Sequence, residues 1–101
     1  MKLILKLGAI SDLQEIARYF IDRDEPDVAV LIVRRIYEAI LVRLRPGFQR
    51  SARPTPVPDV YEIVVPKLPY IVVYRLGEAG LEVVGVFHVA RDPDSRRREW
   101  L

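Results

Sequence analysis

Residues 61–75 read YEIVVPKLPYIVVYR, and this stretch decides the fold. It contains two runs rich in Val, Ile and Tyr, which favour strands, separated by the turn-forming residues 66–69 (PKLP). The pattern predicts an antiparallel hairpin of strands 60–65 and 70–75. A further apolar run, 81–89, follows the turn residues 77–80 (GEAG) and predicts a third strand, so that 60–89 form an antiparallel meander.

The N-terminal part predicts a strand followed by a helix. Residues 2–7 alternate Lys with apolar residues and predict a short strand that Gly8 ends. Ser11 and Gln14 have the spacing of a capping box. Apolar residues at helical spacing then predict a first helix that reaches about Asp22.

A second helix is predicted between the first helix and the meander. Pro26 is well placed as its first residue, and Pro46-Gly47 stops it. Residues 48–59 contain three prolines and predict an extended connection. The predicted order is β-α-α-β-β-β, an α+β domain over residues 1–101 in which a helical hairpin packs on a mostly antiparallel sheet.

Composition and charge limit the classes to which this protein can belong. The chain has 101 residues and no cysteine, which excludes disulfides and thiolate metal sites; we expect neither a metal nor a cofactor. It has no apolar stretch long enough to span a bilayer and no signal-peptide pattern, so a cytoplasmic protein with no membrane partner is expected. Arginines cluster in 43–53 and 96–98, which suits an acidic partner or a nucleic acid; a solvated basic face is the alternative.

Three motifs in chain order resemble those of one family. Asp12-Leu13-x-x-Ile16-x-x-Tyr19 is similar to the start of its first helix, 61–75 to its central hairpin, and 86–92 (VFHVARD) to its closing strand. On these motifs the chain resembles the RelE/ParE superfamily, and the ParE-like branch is favoured. The resemblance implies the fold predicted above. It also implies a bacterial toxin of a type II toxin–antitoxin (plasmid-stabilisation) system, bound by a cognate antitoxin in a hetero-oligomer.

The two branches of that family differ in activity. RelE-like members cleave mRNA, usually at the ribosome, without a metal and with basic side chains on the sheet, whereas ParE-like members inhibit DNA gyrase. Here Tyr61 and Gly85 stand where the family often has arginine, and Ile71 stands where ribonuclease members tend to place a basic residue. We therefore expect a non-enzymatic inhibitor of DNA gyrase. An mRNA endonuclease and an inactive binding module or co-regulator are the alternatives.

The candidate site residues follow from these hypotheses. If the protein is an endonuclease, His88, the only histidine, is the candidate general acid or base, and Arg91, which follows the last strand, is the candidate functional cation. Contact with the target or with a nucleic acid is assigned to basic and aromatic side chains: Arg50, Arg53, Lys67, Arg75, Tyr70 and Tyr74.

The sequence also allows purely structural roles for these residues. Simple alternation along the last strand gives His88 the same face as Val84 and Val86, which predicts a half-buried histidine. Tyr70 and Tyr74 share a face, and such a row is more typical of core or hairpin packing. Arg91 could instead form an ion pair with a neighbouring aspartate. For residues 96–101, docking of the tail and terminal disorder are both open.

Overall fold

The computed structural model describes residues 2–42 and 52–90. The predictions for Arg50, Arg91 and the tail 96–101 lie outside these residues, as does most of the basic run 43–53. These residues contain seven elements: β1 (Lys2–Leu5), α1 (Leu7–Ile21), α2 (Pro26–Val42), β2 (Arg53–Pro54), β3 (Val60–Val64), β4 (Tyr70–Leu76) and β5 (Gly80–His88). No helix in the two described ranges is long and apolar enough to cross a membrane.

The five strands form one mixed sheet in the order β1-β5-β4-β3-β2. β3, β4 and β5 form the predicted antiparallel meander, and β1 lies parallel to β5. The α+β prediction with a mostly antiparallel sheet is confirmed. Within the predicted extended connection, Arg53–Pro54 pairs with β3 as a very short strand. Its place at the edge suits Pro54, which has no N–H to donate.

The start of α1 corrects the sequence prediction. Gly8 and Ser11 both lie inside the helix, and Lys6 caps it without a side-chain hydrogen bond. The chain turns directly from strand to helix because the Lys6 N–H still donates to the Val83 carbonyl, at 3.0 Å. Gly8 permits the close approach of the helix to β5, since a Cβ there would lie 3.3 Å from the Val84 carbonyl oxygen. The capping box and the strand end at Gly8 were therefore wrong.

Both faces of the sheet are apolar, and the helices cover one of them. Ile36 and Ile40 of α2 are buried against Tyr74 and Val83 of the sheet. Burial of one such side chain contributes about 1.5–3 kcal/mol. On the opposite face, Val60, Ile71, Val73 and Phe87 form a second buried cluster, with Val57 and Val84 packed against it.

A β-bulge in β5 changes which residues share a face. Val73 pairs with Gly85 and Tyr74 pairs with Val83, so Val84 is an extra residue on β5. Val84 packs with the cluster on the face away from the helices, whereas Val86 packs on the helix side. The predicted shared face of Val84, Val86 and His88 was wrong because simple alternation ignores this extra residue. The His88 side chain is exposed and not half-buried.

Candidate functional site

His88 lies beside Tyr70 where β5 ends and β4 begins. The two residues are cross-strand partners, and their rings meet edge to face with centroids 5.7 Å apart. The Ala90 N–H donates to His88 Nδ1 at 3.1 Å. In the neutral ring this hydrogen bond places the proton on Nε2. The histidine is therefore exposed but held in one orientation.

An open cleft of about 250 Å³ lies between α1 and this end of the sheet. Its helix side carries carboxylates and a tyrosine, and its sheet side carries Tyr70 and the last residues of β5. The lining residues are Asp12, Glu15, Ile16, Tyr19, Tyr70, Val86, Phe87 and His88. Hydrophobic side chains, two tyrosines, a histidine and two acids thus surround one space that can receive a polar or cationic group.

Asp12 fixes α1 against the cleft's sheet side. Its Oδ2 accepts a hydrogen bond from the Val86 N–H at 2.9 Å. The pairing of β1 with β5 ends at Leu5 and Val83, so no residue of β1 lies opposite Val86. The carboxylate therefore satisfies a backbone donor at a part of β5 that β1 does not reach.

The two tyrosines predicted to contact a target are both largely buried. Tyr74 is 1% exposed and stacks on Tyr61, with ring centroids 5.6 Å apart, so its ring is not presented at the surface. Tyr70 is 7% exposed and reaches the cleft. Burial raises the pKa of Tyr70 above its ordinary value of 10.0, and the nearby Tyr19 raises it further.

Arg53 and Arg75 make ion pairs with acids of the sheet. Arg75 Nη2 donates to Glu82 Oε1 at 2.9 Å, and Lys6 Nζ lies 3.7 Å from the same oxygen. The hydrogen bond from Arg75 lowers the pKa of Glu82; burial opposes this shift, and the positive charges of Arg75 and Lys6 add to it. Arg53 Nη2 lies 3.4 Å from an oxygen of Glu62. Both predicted arginines therefore have acidic partners.

Lys67 occupies a turn next to the cleft's end of the sheet. It adopts a positive φ of 63° and its side chain is exposed. Because the Val89 N–H donates to the Pro69 carbonyl at 2.8 Å, the turn is tied to the end of β5. The structure thus brings Lys67, Tyr70 and His88 to one end of the sheet.

Arg53 and Arg75 lie away from that end. Arg75 is five residues further along β4 than Tyr70, or about 16 Å at the usual rise of a strand. The predicted site residues that lie in the described part of the chain therefore do not form one cluster. Asp12 and Glu15, which line the cleft, were not predicted as site residues.

The arginine that the family often places before the closing strand has no room here. A Cβ on Gly85 would lie 2.6 Å from Cε2 of Phe87. The Phe87 ring thus occupies the space beside this position. The two other positions at which this chain departs from the family pattern also carry packed side chains. Ile71 lies in the apolar cluster with Phe87, and Tyr61 packs against the core.

The outer side of α2 leaves large apolar side chains exposed. Val30, Tyr37 and Leu41 recur at helical spacing and are 57%, 39% and 42% exposed. Beside them lies a shallow groove of about 490 Å³, lined by Val30, Val33, Arg34, Tyr37 and Glu38. An apolar row of this kind marks an interaction surface.

Comparison with known proteins agrees with this architecture. Residues 3–93 match the family described as "ParE toxin of type II toxin-antitoxin system, parDE". A protein of Sinorhizobium fredii named "Putative toxin Y4kP" is 34% identical over 82 residues, which cover 81% of each chain. A solved structure titled "Chromosomal ParDE TA system from P. aeruginosa" has a chain with a TM-score of 0.77 and 22% identity; the match covers 87% of this chain and 95% of that one.

The helical hairpin on a five-stranded sheet thus has the fold of a chain from that solved toxin–antitoxin system. The chain belongs to the ParE toxin family of type II toxin–antitoxin systems. The predicted ParE-like branch of the RelE/ParE superfamily is confirmed.

Proposed function

We propose that this toxin inhibits DNA gyrase by binding it, without cleaving nucleic acid, and that a cognate antitoxin neutralises it. The observation that carries the proposal is the chemistry of the sheet face away from the helices. Cleavage of RNA needs cations close to the scissile phosphate to stabilise the developing charge. In the described part of that face, Ile71, Val73 and Phe87 form an apolar cluster, and Arg75 is paired with Glu82.

The antitoxin is expected to cover the apolar row on α2. Val30, Tyr37 and Leu41 lie on one side of this helix, next to the groove. An amphipathic helix binds such a surface through apolar residues at the same spacing. Family membership supports an antitoxin as the occupant, because toxins of this family are named for their pairing in a toxin–antitoxin system.

Two parallel assays test the proposed target. Toxin released from its complex with the antitoxin is added to purified gyrase acting on relaxed plasmid, and to ribosomes translating a defined mRNA. We expect supercoiling to fall with toxin concentration, activity to return when antitoxin is added, and the mRNA to remain intact. Uninhibited gyrase together with cut mRNA would overturn the proposal in favour of the endonuclease.

The endonuclease remains the second candidate because His88 is exposed, oriented by Ala90 and placed against Tyr70. Such an imidazole could act as a general acid or base. His88→Ala separates the two functions: it should leave inhibition of supercoiling within about twofold of the original, whereas an endonuclease would lose on the order of 10²–10⁴ in rate. Glu78→Gln, in the exposed turn between β4 and β5, serves as the control for purification and folding.

A further inference from the structure

The cleft between α1 and the end of β5 is acidic and carries polar atoms that its own lining does not fully use. Asp12 and Glu15 supply two carboxyl groups, and among residues 2–42 and 52–90 neither Lys nor Arg lines the cleft. Asp12 is engaged with the Val86 N–H. Glu15, one turn further along α1, forms no ion pair within residues 2–42 and 52–90 and is exposed. The Asp12 carboxylate therefore holds α1 against β5, whereas the Glu15 carboxylate is available to a ligand.

The hydroxyl of Tyr70 is a second, independent sign of a missing partner. Tyr70 is 93% buried and lines the cleft, yet no hydrogen bond of its hydroxyl to a described residue is present. Because Tyr70 lines an open cleft, its hydroxyl can form a hydrogen bond with a ligand bound there. A donor group that enters the cleft would meet the Tyr70 oxygen on the sheet side and the Glu15 carboxylate on the helix side.

The other residues that line the cleft favour a donor group of a particular shape. Ile16, Val86 and Phe87 provide an apolar wall, and Tyr19 provides an aromatic ring. The guanidinium of Arg23 lies 3.5 Å from the centroid of the Tyr19 ring. Arg23 itself does not line the cleft. Arginine combines an aliphatic stem with a planar cation that has five donors, so it suits an apolar wall, an aromatic ring and two separated acceptors together.

We propose that this cleft binds the guanidinium of an arginine supplied by the antitoxin, with Glu15 and Tyr70 as its acceptors. The identity of the supplier rests on the proposed function, but the chemistry of the cleft does not. Charge complementarity makes an acidic or phosphate-bearing ligand unsuitable here. The site is separate from the apolar row on α2 and adds selectivity for charge to the apolar contact made there.

The test uses the full chain and a small probe, Nα-acetyl-L-arginine methylamide, followed by backbone amide shifts in NMR. We expect shifts at Val86, Phe87 and His88, with weak but saturable binding. The citrulline analogue has the same shape without the charge and should bind at least about tenfold more weakly. Equal binding of the two analogues, or shifts elsewhere on the chain only, would overturn the proposal.

Two variants test whether Glu15 and Tyr70 are the acceptors of the arginine side chain. Glu15→Gln keeps the size of the side chain and should weaken arginine binding about tenfold; Tyr70→Phe should weaken it about threefold or more. Glu78→Gln removes an exposed acid in the turn before β5, outside the cleft and the groove on α2, and should change nothing. Full binding by Glu15→Gln would contradict the assignment.

The antitoxin complex then separates the two proposals. If Glu15→Gln weakens the complex by a similar factor, the arginine comes from the antitoxin. If the complex forms with unchanged affinity, the proposed neutralisation stands and the supplier is wrong. If no complex forms with the unaltered chain, the proposed neutralisation fails, while the result with the arginine probe still decides the chemistry of the cleft.

Discussion

The carboxylate of Asp12 accepts a hydrogen bond from the backbone of Val86 across 74 positions of sequence, at 2.9 Å. Asp12 is the first residue of the helical motif that resembles the toxin family, and Val86 follows the β-bulge of β5. The bond therefore joins the helical hairpin to the irregular part of the sheet and holds one wall of the cleft in place.

Removal of this carboxylate should destabilise the fold. We expect Asp12→Ala to lower the free energy of unfolding by about 1–3 kcal/mol, because the Val86 N–H loses its acceptor at a partly buried position. Denaturation by urea measures the change. Glu15→Ala, on the same helix and exposed, controls for the gain in helix propensity and should change stability by less than about 0.5 kcal/mol. Equal stability of the two variants would contradict the role of Asp12.

Gly80 should tolerate no side chain. Its φ is +148°, and a Cβ there would overlap the carbonyl oxygen of Lys2 on the neighbouring strand. Gly80→Ala must therefore strain the backbone or displace β1, and we expect a loss of about 2–4 kcal/mol in the free energy of unfolding. Glu78→Ala in the same exposed turn is the control and should be nearly neutral. Thermal denaturation that gives the same midpoint for both variants would show that β1 is not held in this register.

The ion pair at Glu82 predicts a dependence of stability on pH. The pKa of Glu82 is lowered, chiefly by the hydrogen bond from Arg75, so the folded state favours the charged carboxylate. This contribution is present above the ordinary pKa of 4.5 and is lost as the pH falls through the lowered value. Glu82→Gln should therefore lose stability at pH 7 and less at pH 3, measured by urea denaturation. Glu78→Gln should follow the unaltered protein at both pH values; an equal loss for Glu82→Gln at both would contradict the linkage.

A substitution in the exposed row on α2 should give a toxin that folds but that the antitoxin no longer neutralises. Tyr37→Glu places a charge in the middle of the apolar surface and should weaken antitoxin binding by about 30-fold or more, in line with the effect of losing a central aromatic residue. Circular dichroism checks the fold, and isothermal titration measures the affinity. Ala79→Glu adds the same charge in an exposed turn far along the chain and should bind normally. Normal binding by Tyr37→Glu would move the antitoxin to another surface.

The meander was predictable from sequence because its signals are local. Val, Ile and Tyr favour strands, and the turn residues between 66 and 69 separate two such runs by a short connection. The pairing of β1 with β5 and the extra residue Val84 had no such signal. Both depend on how distant segments meet, and the bulge was enough to reverse the predicted face of Val84 relative to His88.

The candidate site was predicted only in part, for a related reason. His88 and Tyr70 were identified by residue type, and cross-strand pairing brings them together. Asp12 and Glu15 look like ordinary polar positions of an amphipathic helix. Only the packing of α1 along β5 shows that these acids face the same space. Conversely, Arg53 and Arg75 looked available for phosphate until the sheet placed Glu62 and Glu82 beside them.

The parallel pairing of β1 with β5 has a consequence for how the toxin is made. Lys2 pairs with Gly80 and Leu5 with Val83, so the first described strand is held by the last. A ribosome releases residues 2–5 long before residues 80–83 exist, and contacts so distant in sequence form late. The sheet therefore closes only after residues 80–83 have been synthesised. Until then α1 has no β5 to pack on, and an antitoxin already present in the cell can meet the nascent toxin before its surface is complete.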